Sequence, residues 1–344
     1  MKKIDDYSQY QDAEKPKKKR FKLFDTQCEG KGVSKEDAVI TPDLKGFFKS
    51  FSRNFNKLLS VNILMVVGSF PILFALLGMS GMFKTQYFAP ASTFFANFRG
   101  IMLHESAYSP ATMALFGIEG IQIENSATTP ISNALLIISL LVFFTFGFVN
   151  VGTTYIIRNL IKGEPVFMWA DFKYAIKRNI KQGFFFGIID LLVLVLIPFN
   201  IFTLLSELGS MFSSIIFWLN IVFGILYIFM RFYIYMQMIT FDLSIYKILK
   251  NSFIFSLIGF KRNILALLGI ICLVFIEVSL LFGLGGILLP IGLALPLVAL
   301  FACGSYMAGF ASYFKIKQIM IDPYQNESSD EYEENAPEID ADLI

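Results

Sequence analysis

The sequence predicts an all-α fold, a polytopic transmembrane helix bundle of about six spans with interfacial amphipathic helices. Three observations predict it. The chain is 55% hydrophobic and only 16% charged, with 39 Phe and a mean hydropathy of +0.61, which leaves too few polar residues to cover an ordinary soluble surface. Apolar runs long enough to cross ~30 Å of hydrocarbon, about 20 residues each, recur near 59–83, 133–157, 183–204, 213–238, 263–284 and 286–312. Lys and Arg gather in alternate connections rather than evenly. The net charge of +2 conceals that asymmetry, because the last 23 residues hold nine acids and no base.

Residues 1–44 are polar and carry a KPKKKR run at 15–20, so they read as a disordered cytosolic arm and not as a cleavable signal peptide. The basic run is a solvated topology signal, or it is drawn to anionic lipid or to the acidic tail. Over 44–59 (LKGFFKSFSRNFNKLL), Phe47, Phe48, Phe51 and Phe55 alternate with Lys45, Lys49, Arg53 and Lys57, the pattern of an interfacial helix feeding the first span. The transmembrane domain then runs over 45–320. The connection 84–132 is long and rich in aromatic residues, and it is expected to rest on the membrane surface. The last two runs are separated only by a Gly-rich turn at 283–286, so five spans with a re-entrant end stay open as an alternative. Residues 321–344 form an acidic, disordered cytosolic tail.

Orientation follows from the connections. Sixteen Lys and Arg residues fall on one side, from Lys45 to Lys317, against Lys84 and Arg99 on the other. Bases stay cytosolic, which puts both termini in the cytosol. Arg53-Asn54, Arg178-Asn179 and Arg262-Asn263 precede the first, third and fifth spans. That is either an internal repeat or the convergent use of headgroup anchors; the few matched residues favour convergence.

The stretch 169–190 shows how the chain meets the membrane. Phe172, Ile176 and Ile180 repeat every four residues, and Lys173, Lys177 and Lys181 repeat the same step about 100° round. An amphipathic helix is expected to run unbroken into an apolar one. Trp169, Phe172, Lys173, Ile176, Lys177, Arg178 and Lys181 make a candidate cytosolic docking surface.

Ionisable groups inside a span are functional candidates, because lipid exposure costs ~2.5–3.5 kcal/mol or more. There are three: Asp190, Arg231 and Glu277. Asp190 and Arg231 sit at similar depth on antiparallel spans, which permits an ion pair with Tyr233 or Tyr235 nearby; otherwise Arg231 snorkels to the headgroups alone. Glu277 has no basic partner at its depth and is expected to be a protonated carboxyl facing Tyr306, Ser305 or Asn220, serving as a proton or substrate site or as a neutral packing residue. Asn62, Asn150, Asn200 and Asn220 are expected to bond between helices. No catalytic, cofactor-binding or metal-ligating set stands out. Three scattered cysteines and one histidine, His104, exclude a multi-histidine metal site, and no phosphate-cradling loop or nucleic-acid recognition module is present.

The segments NKLLSVNILMVVGSFPIL (56–73), GTTYIIRNLIKGEPVFMWADFKYAIKRNIKQG (152–183) and FDLSIYKILKNSFIFSL (241–257) resemble the YesL-like family of bacterial polytopic membrane proteins, a family of unknown function. The resemblance covers roughly residues 45–280 and implies a multi-pass protein of the bacterial plasma membrane, often encoded beside carbohydrate uptake systems, with no established catalytic residues. The N-terminal arm, the long connection and the acidic tail depart from that pattern. The expectation is a non-enzymatic accessory or assembly component with carbohydrate transporter components as partners and its oligomeric state open. The alternative is a secondary transporter using Glu277 or Asp190.

Overall fold

The computed structural model describes residues 40–104, 109–206, 209–283 and 286–324. The expected disorder of the arm up to residue 39, its basic run, and the tail beyond 324 lie outside the described residues. Five helices are long and apolar enough to cross a membrane, or six when one bent pair is counted as a single span. The chain is thus a multi-pass integral membrane protein, with its apolar helix faces against a lipid bilayer.

The bent pair comes first in the chain. Helix α1 (Leu44–Gly68) starts at Asp43, whose carboxylate accepts from the Gly46 N–H at 2.9 Å and satisfies one of the donors a helix start leaves open. It ends before Pro71, which has no N–H to continue the ladder, and α2 (Pro71–Met79) leaves at 56°. The expected helix over 44–59 feeds the first span without a break, as the opening part of α1. Gly46, Ser50, Asn54, Leu58, Val61 and Asn62 form one buried stripe along it, and Phe47 and Phe51 pack on Tyr306 rather than on headgroups.

The connection 84–132 is built rather than merely draped. Strands β1 (Lys84–Pro90) and β2 (Gln122–Thr128) pair antiparallel, Lys84 opposite Thr128 and Pro90 opposite Gln122. Between them lie α3 (Phe95–His104) and α4 (Pro110–Glu119). The Thr129 hydroxyl, on the residue after β2, donates to the Phe83 carbonyl just before β1, closing the base of the ladder.

Helices α5 (Pro130–Ser139) and α6 (Val142–Lys162) form one span of 33 residues. The Ser132 hydroxyl on α5 donates to Gly78 O at 2.9 Å and joins α5 to α2. Helix α7 (Met168–Arg178) precedes α8 (Ile180–Leu205), and α9 (Met211–Thr240) is followed by α10 (Ile245–Ile258) and α11 (Phe260–Phe282). Contrary to expectation, α7 does not run unbroken into α8: the chain breaks at Asn179, whose amide donates back to Ala175 O at 3.0 Å. The same break recurs at Gly259 between α10 and α11.

The final span runs from Leu289 to Tyr324 over 36 residues: α12 (Leu289–Leu295), a π-helical turn at Pro296–Leu300, α13 (Phe301–Ile316) and a second π turn at Lys317–Ile321. It qualifies as a span, as does α11, so the bend in this bundle belongs to α1 and α2 and not, as the alternative held, to the last two. Asn62 on α1 makes the Pro296 turn tolerable. Its amide donates to Pro296 O at 2.8 Å and accepts from Ala302 N at 3.0 Å, pairing backbone groups that the irregular ladder frees.

Helix α6 is central, touching α1, α7, α8, α9 and α13. The buried core lies toward the basic end, from Ile156 to Ile161 of α6, Tyr233 to Ile239 of α9 and Tyr306 to Ile316 of α13. At the other end α8 and α9 expose Phe199, Phe202, Met211 and Trp218, side chains that lipid would cover. The α6–α8 crossing is a close backbone approach. A Cβ on Gly187 would stand 2.4 Å from the Gly147 Cα, and one on Gly147 only 2.0 Å from Gly183 O. Small residues let membrane helices approach in this way.

Candidate polar site within the bundle

Asp190 and Arg231 meet. Asp190, on α8, is fully buried, and its two oxygens lie 3.0 and 2.9 Å from Arg231 Nε on α9. Tyr227 donates its hydroxyl to one oxygen at 2.8 Å and Tyr235 donates to the other at 2.7 Å. Tyr227, Arg231 and Tyr235 are spaced i, i+4 and i+8, which puts all three on one stripe of α9. The carboxylate therefore receives donors at both oxygens, as a buried charge requires.

Arg231 reaches a third helix. Its Nη2 donates to Asn150 Oδ1 of α6 at 2.8 Å, and the Asn150 amide donates on to Phe146 O at 2.8 Å. The guanidinium also lies 5.4 Å from the Tyr235 ring centroid and 5.8 Å from that of Phe146, within cation–π range. It is thus held inside the bundle rather than snorkelling alone to the headgroups.

Arg231 also keeps 27% of its side-chain surface accessible, whereas Asp190 has none. Arg231 and Asn150 line a cavity of about 280 Å³ among α6, α9, α11 and the final span, together with Thr154 and Ser305. Asp190 and Glu277 do not line it. The two charges of the pair thus have different surroundings, one sealed by hydroxyls and the other bordering a half-open cavity.

Tyr235 lies beside the pair as expected, but Tyr233 does not. Its hydroxyl donates instead to Asn263 Oδ1 at 2.7 Å, and Asn263 donates to Ser256 O at 3.0 Å, locking the α10–α11 elbow. Tyr227 escaped the sequence reading, although its i, i+4 spacing to Arg231 carried the signal. The GFFFG spacing of Gly183 and Gly187 likewise announced the close helix crossing. Glu277 is buried, with Oε2 lacking a hydrogen bond among the described residues. None of its three expected neighbours bonds to it: Tyr306 pairs with Ser50, Ser305 contacts the Met65 sulfur, and Asn220 donates to Ile216 O of its own helix. Asn62 and Asn150 bond between helices as expected. Asn220 stays within its helix, and Asn200 is exposed.

The three Arg-Asn pairs share one device. Asn54, Asn179 and Asn263 are all buried, and each donates its amide to a backbone carbonyl. The last two serve matching elbows, α7–α8 and α10–α11, while Asn54 lies within a continuous helix and reaches Leu160 O of α6 at 3.3 Å.

The expected docking surface divides in two. Trp169, Lys173, Lys177, Arg178 and Lys181 are exposed, with the Lys173 ammonium 5.7 Å from the Trp169 ring centroid. Phe172 and Ile176 are half-buried and unavailable, because α7 lies along α6; a Cβ on Gly152 would touch the Phe172 ring at 2.3 Å. Ile180, on the far side of the break, is exposed. Arg178 donates to Asp242 at 3.3 Å, and Gln182 donates to Leu243 O at 2.8 Å, tying the first elbow to the loop before α10. The Arg178 guanidinium is held above its ordinary pKa, first by the hydrogen bond to Asp242 and then by Tyr174.

Comparison with family models, with curated proteins and with solved structures returns no match for this chain.

Proposed function

We propose that this chain is a non-enzymatic accessory or assembly component of a bacterial carbohydrate uptake system, resident in the plasma membrane with its basic end and both termini in the cytosol. The carbohydrate system and the bacterial plasma membrane rest on the resemblance to the YesL-like family. The orientation rests on the excess of Lys and Arg at one end. The observation that carries the docking role is the joined pair of elbows. Arg178–Asp242 and Gln182–Leu243 hold α7 and the loop before α10 together, with Trp169, Lys173, Lys177 and Lys181 exposed. An aromatic anchor among bases suits an acidic, partly apolar partner surface. Affinity purification from native membranes tests it. Wild type should retain a transporter component that a Lys173→Glu/Lys177→Glu/Lys181→Glu variant loses; wild type recovering none refutes the reading.

A second reading, a secondary transporter with an intramembrane carboxylate, draws support from the cavity at Arg231. Asp190 is already saturated by its donors. Glu277 is the better carboxylate for that role, since Ile270, Leu273 and Val274 of the cavity wall and Glu277 are spaced i, i+3, i+4 and i+7 on α11, and its Oε2 has no bond. Proteoliposome uptake that survives Glu277→Gln would remove Glu277 from it.

A further inference from the structure

We propose that the cavity beside Arg231 is a binding site for a short-chain monocarboxylate, its carboxylate held by the guanidinium and its hydrocarbon body laid against α11 and the final span. The inference does not depend on the docking reading. A guanidinium has five N–H donors. Asp190 takes Nε–H and Asn150 takes one from Nη2, and the remaining three have no partner among the described residues. Those donors belong to the part of the pair that keeps accessible surface, and that residue lines the cavity. Asp190 takes both of its Arg231 contacts from Nε, so Nη1 and the second N–H of Nη2 are left for a second carboxylate.

A second carboxylate leaves the Asp190–Arg231 pair with one excess negative charge, and the hydroxyl donors around Asp190 offset part of it. Two tyrosine hydroxyls point their positive ends at Asp190, so the counter-charge on the far side of Arg231 is spread over four contacts. The Thr154 hydroxyl, on the cavity wall, makes no hydrogen bond among the described residues and remains able to donate, whereas the Ser305 hydroxyl already donates to the Met65 sulfur at 3.9 Å. The opposite wall is Ile270, Leu273, Val274 and Phe301, which would be poor company for a polyol and good company for an alkyl chain. A volume of about 280 Å³ lies at the low end of small-molecule sites, typically ~300–1,000 Å³. It suits a short acid rather than a lipid tail.

Equilibrium binding of labelled butyrate to the full chain, purified in nanodiscs, tests this. Saturable one-to-one binding is expected, with competition by other short acids and none by butyramide, which matches the shape without the charge. Gly304 lines the cavity, and a Cβ there would lie 3.9 Å from its nearest neighbour, Ile270, so the position admits a side chain. Gly304→Leu fills the space and should weaken binding by about tenfold or more. Thr154→Val, which alters one hydroxyl only, should weaken it a few-fold. Phe202→Ala, at the lipid-facing end of α8, should bind as wild type. Equal competition by butyramide, retained affinity in a folded Gly304→Leu protein, or no binding of any acid overturns the proposal. Displacement by oleate at lower concentration than by butyrate overturns the short-chain assignment in favour of a membrane-derived acid.

Discussion

Replacing Arg231 by Met should be among the most damaging single changes in the bundle, and its cost should shrink when Asp190 is replaced as well. In the wild type Asp190 has no exposed surface and receives four donor contacts, two of them from Arg231 Nε. Arg231→Met leaves that carboxylate with the Tyr227 and Tyr235 hydroxyls and strips Asn150 Oδ1 of its donor. An uncompensated buried charge of this kind costs about 3–5 kcal/mol. Asp190→Asn is gentler, at about 1.5–3 kcal/mol for a hydrogen bond to a charged group, because Arg231 retains 27% of its side-chain surface accessible and Asn can still accept. The double variant removes both charges, so its cost should fall short of the sum by at least ~2 kcal/mol, a coupling well beyond the ~0.3–0.5 kcal/mol seen between independent sites. Reversible unfolding in mixed micelles by titration with denaturing detergent, followed by circular dichroism, gives all three values. Additive costs, or an Asp190→Asn variant less stable than Arg231→Met, would refute the reasoning.

Other outcomes follow from the same contacts. Tyr227→Phe and Tyr235→Phe should each cost about 0.6–1.7 kcal/mol, the range found for side-chain hydrogen bonds between membrane helices. Gly187→Ala forces a methyl to within 2.4 Å of the Gly147 backbone and should sharply lower the yield of folded protein. Gly304→Ala, with nothing nearer than 3.9 Å, should leave the yield unchanged on a fluorescence size-exclusion trace. Asn62→Leu strips partners from Pro296 O and Ala302 N and should cost about 1–3 kcal/mol, with faster amide exchange at Ala302 as its local signature. Asp43 is held below the ordinary carboxylate range, first by the Thr41 hydroxyl and then by the Gly46 N–H. Its cap therefore contributes fully above the unfolded value near ~3.9, and it is lost as pH falls through the lower folded value. Amide exchange at Gly46 should rise only in that acid window.

The span count and the Asp190–Arg231 pairing were legible because both follow from spacing: apolar runs are set by bilayer thickness, and two charges at equal depth on adjacent antiparallel helices have each other as the cheapest partner. What escaped depended on packing. Residues 44–59 carry the charge pattern of a surface helix, yet the Ser50, Asn54, Leu58 and Asn62 stripe commits them to the bundle, since the small and amide side chains on it find partners on α6 and α13. Phe172 and Ile176 looked like a free apolar stripe only because Gly152 gives no sign in sequence of the ring it accommodates. The β1–β2 ladder was hidden because its strands are almost wholly exposed and two helices apart, so neither alternates. Glu277 is buried, but position along a helix does not give rotation about its axis, and none of the three expected neighbours bonds to it.

In the proposed docking role, the elbow face around Trp169 is where this membrane protein meets its partner. A photoreactive amino acid placed in turn at Trp169, Lys173 and Phe172, in cells, tests it most directly. The account predicts a discrete crosslink to a carbohydrate transporter component from Trp169 and Lys173, and none from Phe172, whose ring is turned onto Gly152. Crosslinks from Phe172 alone, or only lipid adducts from all three positions, would contradict it.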